Sequence, residues 1–166
     1  QVVNFTTFLH NYGKYNFLMI GKSASLYRSF LMFNLSSIPE NSTITSATLS
    51  IYMYSPPTLD AYYLAYNTSA NNTTGSTFWN EGTLSNAVCG TRCNLDQNLT
   101  WTNMPANSVL QDNISVPNNG AWLNFNVTNA AKNTYSQYKM LSILLMANNE
   151  TSTLFKSVLM KIYFLC

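Results

Sequence analysis

The chain has 166 residues, of which only 8 are Lys or Arg and 6 are Asp or Glu. This charged fraction of 8% is about a third of the roughly 25% found in ordinary globular proteins. The net charge of +2 provides no basic patch that could neutralise a phosphate backbone, so nucleic-acid binding is not expected. Polarity comes instead from 23 Asn, 18 Ser and 18 Thr, while the 46% hydrophobic content indicates one packed domain rather than disorder.

The apolar runs exclude a membrane-spanning helix. The longest of them cover residues 143–147 and 162–166, far short of the roughly 18 to 20 residues that a bilayer requires. The chain starts at Gln1 without Met and without a basic-then-apolar leader. We interpret it as an exported, extracellular protein whose signal peptide has already been removed.

N-glycosylation sequons support export. The composition alone would generate about five of them, and the chain has roughly twice that number. The sequence therefore predicts heavy N-glycosylation, with covalent N-linked glycans on exposed positions and no other cofactor. The predicted glycosylation sites are Asn4, Asn34, Asn41, Asn67, Asn71, Asn72, Asn98, Asn113, Asn126 and Asn149.

Three cysteines are candidates for one disulfide in an oxidising compartment. Cys89 and Cys93 could close a small loop, or one of them could tie down the C-terminal strand through Cys166. The spacing does not decide between these pairings. A zinc site with the single histidine, His10, matches no usual ligand pattern, so no metal is expected.

Alternating apolar residues and turn residues indicate short strands along the chain. Residues 67–119 contain most of the sequons but little alternation, which predicts long decorated loops around short strands. Thr128 followed by Asn129, Ala130 and Ala131 predicts a short helix capped by Thr128. The predicted strands are residues 2–9, 15–20, 28–33, 43–54, 121–127, 142–147 and 157–165.

Several segments of the chain resemble segments of one protein family and occur in the same order. These are residues 11–13, 27–39, 44–52, 100–105 and 122–128, which are similar to the DNRLRE or disaggregatase-related β-sandwich domains. The resemblance implies an all-β fold with a single immunoglobulin-like or jelly-roll-like antiparallel sandwich. Where that family usually has Asp after a Phe in its two signature strands, this chain has Asn34 and Asn126.

The size, composition, N-terminal strand and sequon load also resemble the archaeal thread filament subunits, or thread pilins. That resemblance implies an archaeal cell-surface filament of identical subunits, joined head to tail by donor-strand complementation. The expected organisation is an N-terminal donor strand at residues 1–10 and a β-sandwich pilin domain at residues 11–166.

The N-terminal segment has the alternation that a donor strand needs. Val3, Phe5, Thr7 and Leu9 lie on one face of an extended chain, and Asn4 lies on the other. A glycan on Asn4 must point to solvent, which leaves the Val3, Phe5 and Leu9 face for burial in a neighbouring subunit. Alternatively, residues 2–9 form the first strand of their own domain.

Enzymatic activity is not expected. His10 stands alone, and no nucleophile elbow, phosphate-binding loop or metalloprotease motif occurs. Trp79, Trp101 and Trp122 could form a platform for sugars, or they could belong to the core of the sandwich. The alternative function is therefore a free-standing carbohydrate-binding or adhesive module that contacts surface glycans.

Overall fold

The computed structural model describes residues 2–4, 10–11, 17–22, 24–55, 62–68, 87–88, 99–102, 104–116, 120–137, 139–148, 150 and 154–165. Strands dominate these ranges, with one helix, α1 (Thr128–Gln137). The strands are β1 (Val2–Asn4), β2 (His10–Asn11), β3 (Leu18–Lys22), β4 (Leu26–Asn34), β5 (Ser46–Ser55), β6 (Tyr62–Thr68), β7 (Ala87–Val88), β8 (Asn107–Ser115), β9 (Ala121–Asn126), β10 (Met140–Ala147) and β11 (Leu154–Leu165).

The strands form an antiparallel β-sandwich, which confirms the predicted all-β fold. Their order is β8-β6-β10-β4-β3-β11-β5-β9, with β1 attached to β4 and a separate two-residue ladder between β2 and β7. We call β8, β6, β10, β4 and β1 the first layer, and β3, β11, β5 and β9 the second layer. The two layers pack face to face around one core.

The layers are joined at a corner between β3 and β4. These two strands share only two residue pairs, Gly21 with Tyr27 and Lys22 with Leu26, whereas β4 and β10 are paired over six. Gly21 has a φ of 98°, a conformation that an L side chain would strain. The Ser29 hydroxyl donates to the Met19 carbonyl oxygen at 2.7 Å and accepts from the Met19 N–H at 3.1 Å, which ties the corner together.

The main core follows from the alternation predicted for these strands. Inward side chains of β5 and β9, such as Leu49 and Phe125, meet inward side chains of β10, such as Ile143 and Leu145. All four are fully buried. Burial of one such side chain contributes about 1.5–3 kcal/mol, so this core accounts for the pairing of the layers.

Helix α1 closes one end of the sandwich. The Val127 carbonyl accepts the first helical hydrogen bond from the Ala131 N–H at 2.9 Å, and Ala130 and Ala131 are buried. Thr128 does not cap the helix as predicted, because its hydroxyl accepts a hydrogen bond from the Ala47 N–H at 3.0 Å. The Gln111 side chain of β8 satisfies the Ala130 N–H instead, at 2.9 Å. This ten-residue helix falls short of what a bilayer crossing demands in length and hydrophobicity.

The prediction of long loops at residues 67–119 is wrong in part. β6 extends to Thr68, and β8 is a nine-residue strand, six residues of which pair with β6. β8 lacks alternation because two consecutive apolar residues, Val109 and Leu110, are both exposed, at 59% and 44%. Its position is determined by main-chain pairing and by polar contacts rather than by an apolar stripe.

Candidate functional site

The N-terminal strand pairs with a strand of its own chain. Val3 lies opposite Arg28, and Val2 lies opposite Ser29. Ser29 is also paired with Leu145 of β10, so β1 and β10 occupy opposite edges of β4. Val3 therefore lies in a strand that pairs within its own chain, as in the alternative interpretation of residues 2–9. Phe5, Thr7 and Leu9 lie outside the described residues.

Arg28 organises the part of β4 where β1 attaches. Its Nε and Nη2 donate to the two carboxylate oxygens of Glu150 at 2.8 and 2.9 Å. The guanidinium carbon also lies 4.9 Å from the centroid of the Trp101 ring, within the range of a cation–π interaction. Arg28 and Glu150 are both largely buried, with about a fifth of each side chain exposed. A bidentate pair of this kind fixes orientation as well as charge.

A second apolar cluster covers the outer face of the first layer. Phe30 and Leu144 point away from the main core and are buried under Leu99, which is itself fully buried. Trp101 and Met104 pack against the same cluster. We call Leu99, Trp101 and Met104 the outer cover. Trp101 therefore belongs to this cluster, consistent with the core alternative for that residue.

Trp122 lies on the outer face of the second layer. Its side chain is 41% exposed, and its ring meets the Tyr52 ring edge-on, with centroids 5.5 Å apart and planes at 64°. Tyr52 and Trp122 are direct cross-strand partners in β5 and β9. Tyr54, two residues along β5, is 43% exposed. We call Tyr52, Tyr54 and Trp122 the aromatic face. Trp79 lies outside the described residues.

The structure describes the side chains of five predicted glycosylation sites. Asn34, Asn41, Asn113 and Asn126 are exposed, and Asn67 is half-buried in β6. In two of them the side-chain oxygen accepts from a backbone N–H two residues ahead: Asn34 from Ser36 at 2.8 Å and Asn126 from Thr128 at 3.1 Å. This bond uses the amide oxygen, so the nitrogen that a glycan would modify is not the atom engaged. Asn4 lies in β1, where only its main chain is described, and Asn71, Asn72, Asn98 and Asn149 lie outside the described residues.

The three cysteines of the predicted disulfide, Cys89, Cys93 and Cys166, also lie outside the described residues. His10 is in β2, where its main chain pairs with Val88. Among the described residues, no three His, Cys, Asp or Glu side chains converge on one point.

Sequence reasoning missed the Arg28–Glu150 pair and the outer cover. Arg28 and Glu150 are 122 positions apart. No local sequence pattern indicates that an arginine in a strand will pair with a carboxylate so far along the chain. The cover had one indirect signal: β4 and β10 carry near-continuous apolar runs, which are typical of strands buried on both faces.

Together these features define an antiparallel β-sandwich domain with one covered and one partly aromatic outer face. The model of the disaggregatase related repeat domain family matches residues 6–156, and the chain belongs to this family. A comparison with curated proteins finds no significant match.

Proposed function

We propose that the chain is a structural subunit of an archaeal cell-surface filament. In this proposal the subunits are extracellular, N-glycosylated and joined head to tail, with the N-terminal strand of one copy completing the first layer of the next. Its resemblance to the thread pilins motivated this proposal. The observation that carries it is the position of β1 at one edge of β4, off the continuous path of the other strands.

The attachment of β1 is small and replaceable. It consists of three residue pairs with β4, so removing β1 leaves all pairings along the main path in place. An identical strand from a second copy would meet the same main-chain groups in the same register. Because the bonds are equivalent within and between copies, the choice depends on the connection after Asn4 and on concentration, as in domain swapping.

The surface also suits an extracellular polymer. The net charge of +2 creates little repulsion between copies. The exposed positions of Asn34, Asn41, Asn113 and Asn126 are compatible with glycans that point into solvent.

A cross-linking experiment tests the proposal. Asn4 and Tyr27 are direct antiparallel partners, and such pairs are close enough for a disulfide. Subunits carrying only Asn4→Cys are mixed, before assembly, with subunits carrying only Tyr27→Cys, then oxidised and run on a non-reducing gel. Strand exchange gives dimers in the mixture that neither variant forms by itself.

Deletion of residues 1–9 provides the second arm. The shortened chain should stay folded but remain monomeric in light scattering, and a synthetic peptide of residues 1–11 should bind to it. A peptide with Val3→Asp and Phe5→Asp serves as the matched control and should not bind. Donor-strand exchange would be contradicted if the mixture gave no more cross-linked dimer than each variant alone. Polymers formed by the shortened chain would also contradict it.

The second candidate function is carbohydrate binding or adhesion through the aromatic face, and the exposure of Trp122 favours it. Aromatic rings with an apolar face suit stacking on sugars. Trp122→Ala should then abolish binding to immobilised polysaccharides, whereas Val109→Ala, which changes an apolar residue that is even more exposed, should not. Deletion of residues 1–9 should leave this binding intact, which separates the two functions.

A further inference from the structure

A cleft of about 610 Å³ lies between the loop after β4 and helix α1, within the size range of small-molecule sites. One wall is formed by Glu40, Asn41, Ser42, Thr43 and Ile44, and the other by Lys132, Tyr135, Ser136 and Lys139. Lys132, Tyr135 and Ser136 are spaced by three and one positions and share one face of α1, and Lys139 lies just beyond the end of the helix. We propose that this cleft binds a carboxylated sugar.

The walls of the cleft are held in position by the fold. The Tyr135 hydroxyl donates to the Pro39 carbonyl oxygen at 2.5 Å, which links the helix to the opposite wall. The Ser42 N–H donates to the same oxygen at 3.2 Å and closes the turn. Lys139 follows α1 with a φ of 55°, and its carbonyl oxygen accepts from the Leu35 N–H at 2.8 Å. A preformed cleft loses little entropy when a ligand binds.

The charges in the cleft favour an anion. Two of the eight basic residues of the chain, Lys132 and Lys139, line it together with one acid, Glu40. Glu40 lies 3.5 Å from Lys139 and is 85% exposed, so a ligand carboxylate can replace it. Lys132 has no ion-pair partner among the residues that the structure describes. The exposure of these groups implies screened and therefore modest affinity.

The remaining surfaces of the cleft favour a sugar as the carrier of that anion. The half-buried Tyr135 ring supplies an apolar surface, and the Lys139 ammonium lies 5.9 Å from its centroid. The Ser42, Thr43 and Ser136 hydroxyls, which can donate or accept, are also in the lining. Asn41, a predicted glycosylation site, lies in the same wall and is exposed. A carboxylated sugar can therefore come from a glycan on Asn41 or from a separate polysaccharide.

Binding is tested with the full chain produced without glycosylation. Trigalacturonate is titrated by calorimetry and NMR, with maltotriose as the neutral control, and we expect binding of trigalacturonate only. Lys132→Gln should weaken it about two- to fivefold, the range of one exposed ion pair. Lys22→Gln is the matched control, because Lys22 is also exposed and lies outside the cleft. Equal losses for both variants, equal binding of maltotriose, or no binding of trigalacturonate at about 10 mM, which is tenfold above a Kd of about 1 mM, would overturn the proposal.

The glycosylated chain distinguishes the two sources of the sugar. If the glycan on Asn41 fills the cleft, the glycosylated chain should not bind trigalacturonate, and Asn41→Gln should restore binding. If the ligand is a separate polysaccharide, the glycosylated chain and its Asn41→Gln variant should bind trigalacturonate alike. Either pattern supports the cleft as a site, provided that Lys132→Gln weakens the binding that is seen.

Discussion

Leu144 provides the sharpest test of the outer cover. Leu144 and Leu145 are neighbours in β10, but they point to opposite faces of the first layer and belong to different clusters. Their exposed fractions are 1% and 0%. Because the two side chains are equally buried, we expect Leu144→Ala and Leu145→Ala each to lower the free energy of unfolding by about 2–4 kcal/mol. On an uncovered face the change at position 144 would cost no more than about 0.5 kcal/mol.

Equilibrium unfolding in urea measures these differences. Val109→Ala, at a 59% exposed position, is the control and should change the free energy by less than about 0.5 kcal/mol. Leu99→Ala should match Leu144→Ala, and the double variant should show a coupling energy of about 0.5–3 kcal/mol because the two side chains share one cluster. A small cost for Leu144→Ala beside a large cost for Leu145→Ala would refute the covered face.

Three further predictions concern polar groups. Arg28→Ala should lower the free energy of unfolding by about 1–3 kcal/mol, since it breaks the bidentate pair with Glu150, and Arg28→Lys should restore less than half of that in the same urea assay. Burial raises the pKa of Tyr63 well above its ordinary value of 10.0. Its neutral form is therefore favoured by folding, so the free energy of unfolding should fall above about pH 10 and not below, by up to about 1.4 kcal/mol per pH unit. Tyr63→Phe should remove this loss of stability above pH 10. If the free energy of unfolding of the two proteins fell equally with pH, Tyr63 would not be its cause. Gln111→Ala should cost about 1 kcal/mol, because it leaves the Ala130 N–H at the start of α1 without its acceptor; an unchanged melting curve would show that water replaces it.

The strands that carry the main core were predictable because their alternation is local information. Predicted strands at residues 28–33, 43–54, 121–127 and 142–147 correspond to β4, β5, β9 and β10, with ends that differ by three residues or fewer. Each has inward residues at every second position, and a sandwich follows from several such strands separated by turns. The order of the strands was not predictable, because β4 pairs with β10 more than 100 residues away.

β8 shows why a strand of the sandwich can be missed in the sequence. Its inward contribution is small, with Ile114 only partly buried against the core. Its position depends on Asp112, whose two carboxylate oxygens accept from the Asn113 N–H at 2.8 Å and from the Asn126 N–H of β9 at 2.7 Å. Such contacts join residues that only the completed fold brings together. The same reason applies to the cleft beside α1, because its two walls are about 90 residues apart.

The arrangement around Arg28 bears on whether β1 can be exchanged without damage to the domain. The Arg28 side chain is held by Glu150, Trp101 and Met104, and none of these belongs to β1. Ser29, the next residue, is held by the main chain of Met19. The segment of β4 that receives β1 is therefore positioned by contacts that do not depend on β1. If an identical strand enters from a second copy, as we propose, a preformed receptor edge of this kind can accept it without refolding of the sandwich.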